Sequence, residues 1–121
     1  MEQIIQRITN ELRNAYNAED EGKHGLARVC ARRAAGWAIQ YYLFNNGIDL
    51  QSSSVLDQIK YLKLKRDNSP EIQIILEHLL VKVSRDSIEQ DSYWPLPDVD
   101  LVKEAHFLSE QMLGEAISID V

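Results

Sequence analysis

The sequence lacks the cysteine pairs of disulfide-bonded proteins, the long apolar runs of membrane proteins and the signal segment of secreted proteins. Cys30 is its one cysteine in 121 residues, so no disulfide can form within the chain and a reducing compartment is expected. No apolar run approaches the ~18 residues that cross a bilayer. The first residues lack the basic segment and continuous apolar stretch of a secretion signal. These absences predict a single cytoplasmic domain over residues 1–121, with no membrane partner.

Charge is unevenly distributed along the chain. The net charge of −6 disfavours general nucleic-acid binding, because such binding needs clustered positive charge. Residues 22–48 nevertheless contain four cations and no acid, whereas residues 86–121 contain nine acids and a single lysine. This segregation raises the question of what neutralises the cations.

Apolar residues recur at helical spacing in five segments, and the alternation typical of strands is nowhere sustained. The predicted helices begin near Gln3, His24, Ser54, Pro70 and Asp98. Ser54, Ser69 and Asp98 are predicted to cap the last three. Short connections between them predict an all-α fold, an antiparallel up-and-down bundle of about five helices. The proline-flanked stretch 93–97 is predicted to be an extended strap over the end of the core.

The second segment, about His24–Asn46, is apolar over half of its circumference and is therefore predicted to be the central helix. Cys30 lies in the middle of that apolar side, which favours a core residue over a reactive thiol. The residues predicted to face inward are Leu26, Ala27, Cys30, Ala31, Ala34, Ala35, Trp37, Ala38, Tyr41, Tyr42 and Phe44. The later helices are predicted to bury Val55, Leu56, Ile59, Leu62, Ile72, Ile75, Leu76, Leu79, Leu80, Val83, Leu101, Val102, Ala105, Leu108, Met112 and Ala116.

The order of these segments resembles that of the HEPN domain family. The similarity lies in the alanine-rich run 27–38, the Asn46-Gly47 pair, the helix at 54–62, the Ser92–Pro95 element and the Glu104-Ala105 pair in the last helix. The resemblance implies a bundle that often dimerises, with RNA cleavage, nucleotide or nucleic-acid binding, or a non-catalytic companion role. RNA-cleaving members carry an arginine followed four to six residues later by a histidine. That spacing does not occur here, so no catalytic residue is predicted.

The three histidines, His24, His78 and His106, are isolated from one another in the sequence. A metal site on a helix needs ligands one turn apart or a comparable cluster. We therefore predict no metal and no cofactor, and we expect these histidines to be solvent-exposed surface residues.

Four cations occupy the first half of the second helix, which is the positive end of its dipole: Lys23, Arg28, Arg32 and Arg33. A cation is unfavourable there by ~0.3–1 kcal/mol, so a compensating partner is expected. One candidate is the acidic run 19–21 or the acidic last helix. The other is an anionic ligand, such as a nucleotide phosphate, bound by the Arg28/Arg32 pair.

A second apolar stripe, formed by Val29, Gly36, Ile39 and Leu43, follows the other face of the same helix. Glycine in mid-helix costs ~1 kcal/mol relative to alanine, and close approach by another helix would explain it. The stripe is predicted to form a symmetric dimer contact or to bind a partner helix. Alternatively, the N-terminal or C-terminal helix of the same chain covers it.

These observations predict a non-catalytic helical interaction module that self-associates and binds a protein partner or an anionic ligand. The first alternative is a nucleotide- or RNA-binding domain that uses the Arg28/Arg32 face. The second is a HEPN-type ribonuclease with atypical catalytic residues.

Overall fold

Five α-helices form a bundle in the computed structural model, which describes residues 2–52, 54–81 and 94–119. They are α1 (Glu2–Asp20), α2 (His24–Asn45), α3 (Val55–Leu64), α4 (Pro70–Leu79) and α5 (Leu101–Leu113). Within the described ranges there is no strand, which confirms the all-α prediction. Each of the five helices is too short or too polar to cross a membrane.

Helix α2 is the centre of the bundle, as predicted. It packs against α1, α3 and α5. Its buried side is made mostly of alanines, namely Ala27, Ala31, Ala34, Ala35 and Ala38, all inaccessible to solvent. Because these side chains are small, the neighbouring helices can pack closely against the α2 backbone.

Cys30 is buried on this side of α2, which confirms the prediction of a core cysteine. Burial raises the pKa of its thiol, and the Glu11 carboxylate raises it further, while Arg33 acts in the opposite direction. A thiol with a raised pKa is a poor nucleophile at neutral pH, because the thiolate is the reactive form.

Some of the residues predicted to face inward are exposed. Leu26 and Phe44 lie near the two ends of α2, and Leu56 lies on the outer face of α3. The prediction for these three residues is therefore wrong. Their apolar character did not show which side of each helix is covered by a neighbouring helix. Val83 and Tyr93 lie outside the described residues.

Two of the three predicted helix caps are confirmed and one is wrong. The side chains of Ser54 and Ser69 accept hydrogen bonds from the backbone N–H groups three residues later, and Pro70 occupies the first helical position. In α5 the cap is Asp100, whose Oδ1 accepts from Lys103 N at 3.1 Å. The predicted cap, Asp98, lies in a preceding turn closed by a hydrogen bond from Val99 N to Leu96 O.

Replacing Asp100 with alanine is expected to lower the free energy of unfolding by about 1 kcal/mol, because an N-terminal N–H of α5 loses its acceptor. Urea denaturation followed by circular dichroism measures this loss. Asp98→Ala is the matched control and is expected to change stability by less than ~0.5 kcal/mol. An equal loss in the two variants would contradict the assignment of the cap.

The end of α5 also differs from the prediction. Gly114 adopts a left-handed conformation, with φ of 72°, and stops the helix after Leu113. The prediction that Ala116 faces inward is therefore wrong, since Ala116 is exposed beyond the helix. Ile117 is buried instead, so the chain after Gly114 returns to the core.

Candidate functional site

The four cations predicted to bind a ligand do not converge on one site. Arg32 is directed toward the end of α4, where its Nε donates to Leu79 O at 3.0 Å and its Nη2 donates to Val81 O at 3.3 Å. Burial lowers the pKa of Arg32, and the nearby Arg28 lowers it further. A cation at a helix C-terminus is favourable because the carbonyl groups there carry partial negative charge. Arg32 therefore ties α2 to α4.

Arg28 and Arg32 lie together against Trp94, a placement that the sequence analysis did not foresee. The guanidinium carbons lie 4.9 Å and 5.9 Å from the centre of the Trp94 ring. The indole Nε1 donates to Val99 O at 3.3 Å. Arg28 is only 8% exposed, so its cation–π contact is largely shielded from water. This cluster fixes residues 94–99 against α2.

A cleft of about 390 Å³ lies beside this cluster. It is lined by Glu19, His24, Arg28, Trp94, Pro97, Asp98, Val99, Asp100 and Leu101. Three carboxylates and one arginine make this an unfavourable environment for a phosphate group, because like charges repel. Nucleotide binding by Arg28 and Arg32 stays a prediction.

The remaining cations near the start of α2 contact acids of α1 and the turn that follows it. Lys23 Nζ lies 3.1 Å from Glu21, and Arg33 lies 3.9 Å from Glu11. His24 Nδ1 lies 2.7 Å from Glu19 Oε2. The Lys23–Glu21 pair is therefore an instance of the internal neutralisation by the acidic run 19–21 that was one predicted explanation, whereas Glu11, which lies near Arg33, is outside that run.

The stripe predicted to be an interface is largely buried within the chain, and helix α3 contacts it at Gly36. A Cβ atom added to Gly36 would lie 2.9 Å from Cγ2 of Val55, so the absence of a side chain lets α3 approach. Ile39 and Leu43 are buried, and Val29 is half-buried. The close helix contact expected at Gly36 is thus present, but α3 makes it rather than the first or last helix. The three buried residues do not form part of the surface of the described chain.

His78 and His106 are partly buried and hydrogen-bonded, so the expectation of solvent-exposed histidines is wrong for them. His78 Nδ1 lies 2.7 Å from Glu104 Oε1, joining α4 to α5. His106 Nε2 lies 2.7 Å from the carbonyl oxygen of Ile117, and its Nδ1 lies 2.8 Å from the Tyr16 hydroxyl. A carbonyl only accepts, so Nε2 donates to it, and in the neutral imidazole Nδ1 then accepts from the Tyr16 hydroxyl.

The same network holds the chain after α5 in place. Glu110 Oε2 accepts from Ile117 N at 2.8 Å. Burial raises the pKa of Tyr16, and the carboxylates of Asp100 and Glu110 raise it further, so the tyrosine stays a hydroxyl donor. Nowhere in the described ranges do three or more possible metal ligands come together.

A groove of about 360 Å³ separates α4 from α5, and it was not among the predicted sites. It is lined by Glu71, Ile74, Ile75, Lys103, Glu104 and Phe107. Ile74 on one helix is 50% exposed and Phe107 on the other is 37% exposed, whereas Ile75 is buried. The bond between His78 and Glu104 links the two helices that form the walls. We call this feature the α4–α5 groove.

The outer side of α3 is a second exposed apolar surface, which we call the α3 face. It consists of Leu56, Tyr61 and Leu64, and Leu64 is 82% exposed. The α4–α5 groove has a signal in the sequence, namely an apolar residue adjacent to an inward-facing one, as in Ile74-Ile75 and Phe107-Leu108. Such pairs place one large apolar side chain off the core-facing stripe of an α-helix.

Comparison with protein-family models, with curated proteins and with solved structures finds no match to this chain. The resemblance to the HEPN family stays a prediction.

Proposed function

We propose that this protein is a non-catalytic helical interaction module that binds an amphipathic helix of a protein partner in the α4–α5 groove. The observation that carries the proposal is the pair of exposed apolar side chains, Ile74 and Phe107, contributed by two adjacent helices. Exposed apolar side chains on both walls of a groove are typical of surfaces that receive the apolar face of a helix.

The charges around the groove define the kind of helix that fits. Glu71 and Glu104 line it together with a single cation, Lys103. A partner helix with apolar residues at positions i, i+4 and i+7 would contact Ile74 and Phe107. Basic residues flanking that stripe would meet the acidic side chains, which favours the encounter and sets the orientation.

A labelled synthetic helical peptide, with leucine at positions i, i+4 and i+7 and lysine on its other faces, tests the proposal by fluorescence anisotropy. Binding is expected to weaken about tenfold or more in Ile74→Lys, since an apolar anchor is lost and a like charge is introduced. Phe44→Lys is the matched control, because Phe44 is 68% exposed but lies at the end of α2. The Phe44→Lys variant should bind the peptide with the same affinity as the wild type.

A second control is a peptide of the same composition in which the leucines no longer share one helical face. It is expected to bind more weakly than the first peptide to the wild-type protein. Equal binding of the amphipathic peptide to wild type and Ile74→Lys would contradict the proposal.

A further inference from the structure

We infer that the helix bound in the α4–α5 groove is α3 of a second copy of this chain, an inference that rests on the proposed function. The α3 face has the apolar character that the groove requires. Leu56 and Leu64 are separated by eight residues, or about 12 Å along the helix axis, and Tyr61 lies between them. Ile59 and Leu62, on the inner side of α3, are buried within their own chain. The helix therefore has a second apolar surface on its outer side.

Charge complementarity points to a second copy rather than an unrelated helix. Helix α3 and the two residues after it carry four cations, Lys60, Lys63, Lys65 and Arg66, and a single acid, Asp57. The α4–α5 groove is lined by two acids, Glu71 and Glu104, and a single cation, Lys103. The apolar surface with cations and the apolar groove with acids thus have opposite net charge, and both occur in one chain.

The arrangement of the helices allows a closed dimer. Helix α3 packs against α4, which forms one wall of the groove, so the two surfaces belong to neighbouring helices. A twofold axis can then place α3 of each copy in the groove of the other. The dimer then contains two identical contacts that form together, so each single contact can be weak.

The first test is the dependence of molecular mass on protein concentration, measured by sedimentation equilibrium. The wild-type protein is expected to dimerise, and Leu64→Asp is expected to weaken dimerisation about tenfold or more by placing a charge in the apolar contact. Because Leu64 is 82% exposed, this substitution leaves the core intact, and circular dichroism verifies that. Phe44→Asp is the matched control and should dimerise like the wild type.

A charge exchange between two variants tests the reciprocal geometry. Lys60→Glu alone places an acid opposite the acidic groove, and Glu71→Lys alone places a cation opposite the basic α3 face. Each variant is expected to dimerise more weakly than the wild type. In an equal mixture a heterodimer can form from one copy of each variant. One of its contacts pairs the two altered side chains, and the other pairs the native Lys60 with the native Glu71. The mixture is therefore expected to form heterodimers with affinity close to that of the wild type.

The synthetic peptide separates this inference from the proposed function. Leu64→Asp leaves the groove intact, so it should bind the peptide at least as tightly as the wild type, whose groove the second copy occupies. A wild-type protein that is monomeric yet binds the peptide would overturn the second-copy inference alone. A dimer that Leu64→Asp does not weaken, or a mixture that does not recover affinity, would also overturn it. A protein that neither associates nor binds the peptide would overturn both proposals.

Discussion

Substituting leucine for Gly36 is expected to lower the free energy of unfolding by about 3 kcal/mol, because the new side chain occupies space that α3 now fills. The first added carbon would lie 2.9 Å from Cγ2 of Val55 and 3.0 Å from Cγ1. Those atoms belong to a β-branched side chain with few alternative rotamers, so the backbone of α3 has to move. Urea denaturation followed by circular dichroism measures the loss.

A smaller pair of substitutions locates the cause of that loss. Gly36→Ala in the wild type is expected to cost about 1 kcal/mol, since the overlap with Val55 outweighs the helix propensity of alanine. In a Val55→Ala background the two γ carbons are gone, and Gly36→Ala is expected to be neutral or slightly stabilising. The change of sign is the diagnostic result. An equal cost in both backgrounds, or a cost that depends on protein concentration, would contradict an intrachain contact with α3.

Arg32→Met is expected to lower the free energy of unfolding by about 2–3 kcal/mol. Methionine keeps part of the aliphatic stem and removes the guanidinium, which donates to the carbonyls of Leu79 and Val81. Hydrogen bonds that involve a charged group contribute about 1.5–3 kcal/mol, and the two carbonyls would have to find other donors. The substitution also removes one of the two cations that lie against Trp94.

The neighbouring arginine provides a matched control for this prediction. Arg33 is more than half exposed and lies 3.9 Å from Glu11, which is beyond hydrogen-bonding distance, so Arg33→Met is expected to cost about 1 kcal/mol or less. Trp94 fluorescence, recorded with Trp37→Phe to remove the other tryptophan, gives a second measurement. We expect a red shift for Arg32→Met and none for Arg33→Met, since only the first loosens the packing around Trp94. Equal stability of the two variants would contradict the assigned role.

The helical bundle and its central helix could be predicted because they depend on local signals. The predicted and observed limits of α2 differ by one residue, and Ser54, Ser69 and Pro70 mark the starts of α3 and α4 as expected. These signals depend on backbone groups within one turn of the capping residue. Asp98 was the predicted cap of α5, and Asp100 is an equally acceptable capping residue. The turn that excludes Asp98 is closed by a backbone hydrogen bond from Val99 N to Leu96 O, which the identity of the side chains does not reveal.

The candidate site could not be predicted, because it depends on which helices become neighbours. The α4–α5 groove requires Ile74 and Phe107 to lie close in space, and no spacing in the sequence brings residues 33 positions apart together. Gly36 shows the same limit. Its mid-helix position predicted close approach by another helix, but the sequence did not identify α3 as that helix.

Arg28 and Arg32 lie one turn apart on α2 and were expected to act as a pair that binds an anionic ligand, which stays a prediction. The predicted contacts were an acidic segment of the same chain or an anionic ligand, and a neutral ring was not among them. The structure places Trp94 there, 66 residues from Arg28 in the chain. Aromatic rings attract cations through their quadrupole and so leave no charge pattern by which the pairing could be recognised.

The alanines on the buried side of α2 have a consequence for the evolution of this chain. In most of the core a large apolar residue can be exchanged for another of similar volume at modest cost. Ala27, Ala31, Ala34, Ala35 and Ala38 are inaccessible to solvent, so we expect a larger side chain at these positions to displace a neighbouring helix. Substitutions should therefore accumulate slowly at these five alanine positions and faster at the surrounding leucine and isoleucine positions. Distant relatives would then be recognised more readily by their small residues at these spacings than by their large ones.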